Sequence, residues 1–285
     1  MKYFFIFISL FFTISNINAS NITLDMLIEE NVLKDYKNFT EDKNPLKIKN
    51  FSHTSSRRSV VEIVLFQQAL YLGGNYKVNL NFIKSPTYLR ELQQLKQGKA
   101  ITTATSIWSH DLKELKKHVY ISKALIRNNE FEAGLYTISS NKKALSAKSL
   151  KDIQSLKAVS NKYWIPDWKT LYKLKPKKLI HVIKWKYMTR MVSIQRADFL
   201  LAPFQSKEDL SFQTENIVFV PIPNLKVGLE GTRHFAISKA HPKAKEIFKA
   251  LNKGIEILRK EGLITKAYKQ SGFFNKKVHN WKKLN

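Results

Sequence analysis

Tyr88 to Trp108 reads YLRELQQLKQGKAITTATSIW. Leu89, Leu92 and Leu95 recur at helical spacing, Gly98 offers a residue free to turn left-handed, and Ala100 to Ile107 then runs small and β-branched. Ser85 as N-cap and Pro86 as first helical residue are expected to open the helix. A helix that stops at a glycine and feeds a strand is half of a βαβ unit. The preceding residues supply the other half. Tyr76, Val78, Leu80 and Phe82 alternate with polar residues, as a half-buried strand does, and RRSVVEIVLFQQALYL, Arg57 to Leu72, predicts a helix. Ser55 or Ser56 is expected to cap it, and Gly73 with Gly74 to end it. Leu46, Ile48 and Phe51 suggest a strand before that. The order β-α-β-α-β implies an α/β sheet with helical crossovers.

Beyond Trp108 the theme repeats. FEAGLYTIS, KAVS, LIHVIKW and DFLLA read as strands, and SLKDIQSL, PDWKTLYKL and YMTRMVSIQ as helices between them. From Pro242 to Gly272 the tail is amphipathic and helical, with Ile247, Phe248, Leu251, Ile255 and Leu258 on one stripe. Two α/β halves and a helical tail are expected, with no solenoid period.

The N-terminus sets the compartment. Lys2 precedes an apolar run from Tyr3 to Ile14, too short for a span of roughly 20 residues, and Ala19 fits a cleavage site. Residues 1–19 therefore read as a cleaved signal peptide and the mature protein as periplasmic, without stable membrane insertion. The chain has no cysteine, which excludes disulfides, thiolate metal sites and a thiol nucleophile. Its formal net charge is +27. Only 8 of the 49 basic residues are arginine, whereas phosphate-gripping and base-reading surfaces favour the guanidinium fork. Nucleic acid is accordingly not an expected partner, although an anionic surface or ligand is compatible with the charge.

Ser109, His110 and Asp111 are consecutive, and neighbours on a regular backbone point apart, so they do not form a catalytic triad. No nucleophile elbow, phosphate loop, dinucleotide fingerprint or paired-histidine zinc motif occurs. The histidines lack ligand spacing, and neither a metal nor a cofactor is expected. Polar, basic and aromatic residues instead recur at the ends of predicted strands, where open α/β sheets place ligands: Ser52 and His53, then Ser106 and Trp108, Trp164 and Trp168, Pro203 and Phe204. Together they suggest a cleft that stacks on a ligand and bonds its polar groups.

Tyr88–Trp108, VYISKALI from Val119, IQRADFLLAPF from Ile194, and the stretch from Gly231 to Phe273 together resemble the bacterial extracellular solute-binding proteins of family 3. The resemblance to these type 2 periplasmic binding proteins covers nearly the whole mature chain. It implies two lobes, each a mixed sheet flanked by helices, joined by two crossing segments and closing over a ligand. It also implies a discontinuous lobe 1, residues 20–126 with 233–285, and a lobe 2 of residues 127–232. Amino-acid-binding members carry Thr-x-x-Arg near the third strand, whose arginine grips the ligand carboxylate. Here Ser109, His110, Asp111 and Leu112 stand there, which puts an ordinary α-amino acid in doubt, and Arg57, Arg58, Arg190 or Arg233 are candidates to replace the clamp.

The residues thus suggest a monomeric, non-enzymatic binding protein that hands a small polar solute, for which an anionic character is compatible with the charge, to an ABC transporter permease or a sensor. Trp108 and Trp164 would stack on the solute, Ser52, Thr105 and Ser106 would hydrogen-bond it, and His53, Arg190 and Arg233 would complete the site. The alternative is an exported enzyme on the same scaffold, acting on an envelope-derived or small acidic substrate, with Asp111, Asp167 or His53 as its candidates. A surface-binding polycation is a third reading.

Overall fold

The computed structural model describes residues 19–41 and 43–285; the expected signal peptide lies almost wholly outside them. The first half of the chain forms β1 (Ser20–Ile28), α1 (Glu30–Thr40), α2 (Arg58–Gly74), β2 (Tyr76–Lys84), α3 (Tyr88–Lys96), β3 (Thr102–Thr103), β4 (Ile107–Trp108), α4 (Ser109–Leu115) and β5 (Val119–Ile126). The middle forms β6 (Glu132–Thr137), α5 (Lys142–Leu145), α6 (Leu150–Gln154), β7 (Lys157–Ser160), α7 (Ile165–Leu174), β8 (Lys178–His181), α8 (Trp185–Ser193), β9 (Phe199–Pro203), β10 (Phe212–Thr214) and β11 (Ile217–Gly228). The chain returns through β12 (Arg233–Ser238), α9 (Ala244–Lys260), α10 (Leu263–Gln270) and β13 (Lys282–Lys283).

Strands β2-β1-β3 make one parallel sheet, and β4-β12-β5 a second, antiparallel one. The middle segment builds a third, mixed sheet in the order β10-β11-β6-β9-β7-β8, with β13 added beside β11. The returning β12 is central to the second sheet, so that sheet is completed only by a strand that follows β6 to β11. No helix among the described residues is long and apolar enough to cross a membrane.

Several local expectations are corrected. The first strand is β1, paired in register with β2 from Ser20↔Tyr76 to Ile28↔Lys84. Leu46 to Phe51 is not a strand: residues 45–47 make a 3-10 turn, and Gln68 takes the carbonyls of Pro45 and Ile48 at 2.8 and 2.7 Å. The apolar alternation there marks side chains plugged against α2, not a ladder. Neither Ser55 nor Ser56 caps α2; its N-cap is Arg57, with no side-chain bond. Gly73 and Gly74 lie inside the helix, and Asn75 carries the left-handed turn at φ 55°. Gly73 serves packing instead, because a Cβ would strike the carbonyl of Ala250 on α9. Thr87, not Ser85, caps α3, while the buried Ser85 hydroxyl donates to Gln94. Gly98 does end that helix, at φ 72°. Finally, the single strand expected over Ala100–Ile107 divides between two sheets, β3 pairing with β1 and β4 with β12.

Residues 127–131 connect β5 of the second sheet to β6 of the third, and residues 229–232 connect β11 back to β12. A third connection is present. After α10 the chain passes to the third sheet, where Lys282 and Lys283 pair with Leu225 and Lys226.

Candidate functional site

Near the start of β12, α2 and the residue preceding β4 bring polar and charged groups together. Arg58 and Glu62 stand one turn apart on α2, so their side chains share a face. One Arg58 Nη1 donates to both Glu62 carboxylate oxygens, at 3.1 and 3.0 Å. Glu62 has no exposed surface. It also accepts from the Ser106 backbone N–H (2.8 Å), the Ser106 hydroxyl (2.9 Å) and the Tyr268 hydroxyl (3.0 Å). Burial by itself would raise this carboxyl; Arg58, Arg233 and the Ser106 bonds outweigh it and hold it below the usual carboxylate range.

Arg233, the first residue of β12, completes the cluster. Its Nε donates to the Ser106 hydroxyl at 3.1 Å and an Nη to the Ser106 carbonyl, while the guanidinium lies 4.7 Å over the Trp108 ring. Burial and the like charge of Arg58 bring it down to about 10, which leaves it protonated at neutral pH. Trp108 is 4% exposed and packs 5.0 Å from Phe131, and Arg58 lies 5.9 Å over that ring. The Arg58 Nε is buried without a hydrogen-bond partner among the described residues. Such an orphan donor is costly unless an acceptor reaches it.

Asp167, in the first turn of α7, interacts electrostatically with this cluster. Burial pushes its carboxyl up to about 6; the charges of Arg233 and Arg58 work against that, and Asp111 adds to it. Asp111 in turn accepts from the Tyr88 hydroxyl at 2.6 Å. Ser109 is engaged elsewhere, its hydroxyl accepting from the Thr232 N–H at 3.3 Å. Ser109 and Asp111 thus have separate partners, and His110 Nδ1 lies 3.7 Å from the Asp111 carboxylate.

Of the residues singled out in the sequence, Ser106, Trp108 and Arg233 converge. Thr105 is adjacent, with its carbonyl accepting from the Thr103 hydroxyl at 2.7 Å. Ser52 and His53 are not with them: they line a surface groove of about 560 Å³ alongside Phe39, Lys43 and Ile48, and the His53 ring meets Phe39 edge-on at 5.8 Å. Trp164 precedes α7 and packs 6.3 Å from Trp185, within the second lobe's own aromatic core. Arg190 is exposed on α8, and Arg57 pairs with Asp35 at 2.7 Å. Arg233 of β12 bonds Ser106 and Arg58 of α2 bonds Glu62, whereas α4 carries no arginine. Sequence reasoning passed over Glu62, Tyr268 and Phe131. One signal was available: Glu62 interrupts an otherwise apolar helical run four residues after Arg58.

No family model and no curated protein matches the sequence. Solved structures do. A probable amino-acid ABC transporter extracellular-binding protein, ytmK of Bacillus subtilis, superposes with a TM-score of 0.58 at 13% identity, covering 90% of this chain and 99% of that one. An amino acid ABC transporter substrate-binding protein of Streptococcus pneumoniae bound to L-arginine gives 0.55 at 16%, covering 87% and 93%. The periplasmic VFT2 domain of BvgS from Bordetella pertussis gives 0.52 at 14%, covering 86% and 92%. At such identities the likeness is one of architecture, and the conclusion is a fold: the chain has the two-lobed α/β fold of the type 2 periplasmic binding proteins.

Proposed function

We propose that this is a periplasmic, non-enzymatic solute-binding protein that closes two lobes over a small polar solute. The carrying observation is the buried Arg58 Nε, without a partner among the described residues, beside Arg233 and opposite Asp167. A solute carboxylate or carbonyl reaching Arg58 would satisfy the orphan donor, and a donor or cationic group on the same solute would face Asp167. Contacts to both lobes exist only when the lobes are closed, so binding shifts the population toward closure. Trp108 and Phe131 hold the arginines from beneath, and Glu62 fixes Arg58 and Ser106 for the encounter. In this reading the first lobe comprises residues 20–126 with the segment returning at 233, and the second residues 127–232. The mature chain starts at Ser20, works as a monomer and delivers its solute to a permease or a sensor; the first of these is in keeping with the ABC transporter binding proteins that share its fold.

Native mass spectrometry of protein recovered gently from its own compartment, followed by a thermal-shift screen, tests the proposal. A ligand at a hundredfold excess over its Kd stabilises the folded state by about 2.7 kcal/mol. The expected result is a small adduct that raises the melting temperature of the parent but not of Arg58→Ala. A bare mass, with no stabiliser among amino acids, organic acids and sugars, would overturn it.

A further inference from the structure

We infer that the segment from Ser271 onward is a third interlobe span, and that Phe273 within it positions the base of the cleft. The span begins on the first lobe, where Tyr268 of α10 bonds Glu62 at 3.0 Å. By Asn275 it is fixed to the second lobe, with Nδ2 donating to the Gln205 carbonyl at 2.8 Å. Lys226, whose side chain is 7% exposed, donates to the carbonyls of Val278 (2.8 Å) and His279 (3.2 Å) and to Glu132 (2.9 Å). Trp281 meets the Phe204 ring at 5.5 Å. At the very end, the Asn285 amide both donates to and accepts from the backbone of Gly228, each at 2.9 Å. Gly272, at φ 78°, sits where a Cβ would strike the backbone of Ser206.

Between these anchors Phe273 is 2% exposed, with its ring 4.8 Å from Phe131 and 5.1 Å from Tyr268. Phe131 carries Trp108 and Arg58 in turn. A rotation that separates the lobes moves the Tyr268 anchor away from the Lys226 anchor, so it must draw Phe273 out of its aromatic seat or detach the tail. Opening and tail release are therefore linked equilibria: whatever favours one favours the other. The inference rests on the closing-lobe reading but not on any particular solute.

The chain has no cysteine, so Lys96→Cys on α3 and Lys169→Cys on α7 place one spin label on each lobe. Pulsed electron paramagnetic resonance without added ligand then reads the interlobe distance. Truncation after Phe274, and separately the full chain carrying Trp281→Ala with Asn285→Ala in case the truncated chain fails to fold, are expected to add a longer-distance population absent from the parent. Phe273→Ala should do the same with the tail in place, and Phe273→Leu, which keeps the seat filled, should restore the parental distribution. An unchanged single population after tail release and in Phe273→Ala overturns the inference. Because no solute is present, an empty ligand screen leaves this result standing, and a distance result against the span leaves the solute reading intact.

Discussion

The Glu62 carboxylate lies 2.8 Å from the backbone nitrogen of Ser106, a residue 44 positions further along the chain. That bond joins α2 to the turn between two sheets, and the same carboxylate also neutralises Arg58 and holds Tyr268. One fully buried anion thus organises three elements.

Glu62→Ala leaves Arg58 and Arg233 buried without their counter-charge. Removing one member of a buried ionic network costs about 3–5 kcal/mol, which a shift of the urea unfolding midpoint at constant slope would show. Tyr268→Phe removes only the hydroxyl bond to a charged acceptor and should cost roughly 1.5–3 kcal/mol. The two losses should not add in the double variant, since both act on one carboxylate.

Asp167 gives the pH dependence. Its folded carboxyl titrates near 6 against an ordinary 3.8, so between those values the folded chain binds more protons than the unfolded one. Stability contributed by this group is present at low pH and declines as pH rises through that window. Asp167→Asn should therefore melt above the parent at pH 7 without ligand, with the difference closing as pH falls toward 4. A constant difference across the range would show that the carboxyl is not perturbed.

Helices α2 and α9 cross through their glycines. A Cβ on Gly254 would strike the Ala69 backbone, as one on Gly73 would strike that of Ala250. Gly254→Ala should destabilise by about 1–3 kcal/mol through overpacking, read as a lowered Tm. Gly262 is the control, because nothing lies within 4 Å of where its Cβ would be. Its φ of 71° makes Gly262→Ala strained, but its cost should be a backbone one, independent of α9 packing.

The α/β class and most helices were legible because long amphipathic stripes such as Ile247 to Leu258 leave little choice of period. Errors fell where one local pattern serves two ends. Ile48 and Phe51 are spaced like strand residues, yet they plug the side of α2. Gly73 and Gly74 look like a helix stop and are a helix crossing. Of the site, Ser106, Trp108 and Arg233 were readable as strand-end residues, whereas Ser52 and His53 share that description and lie elsewhere. Nothing local reveals that Arg233 comes to Ser106 across 127 residues, since only the return of β12 between β4 and β5 brings them together.

That return has a consequence for assembly during synthesis. The six strands from β6 to β11 lie within one continuous stretch and can pair as soon as they are made, whereas β4 and β5 have no shared partner until β12 exists. Arg58 and Glu62 must meanwhile wait for Arg233 and Tyr268. Long-range pairings of this kind form slowly, because loop closure precedes their reward. The sheet of β6 to β11 should mature first, with the β4-β12-β5 sheet left open and its neighbouring charged cluster sealed by nearly the last helix to appear.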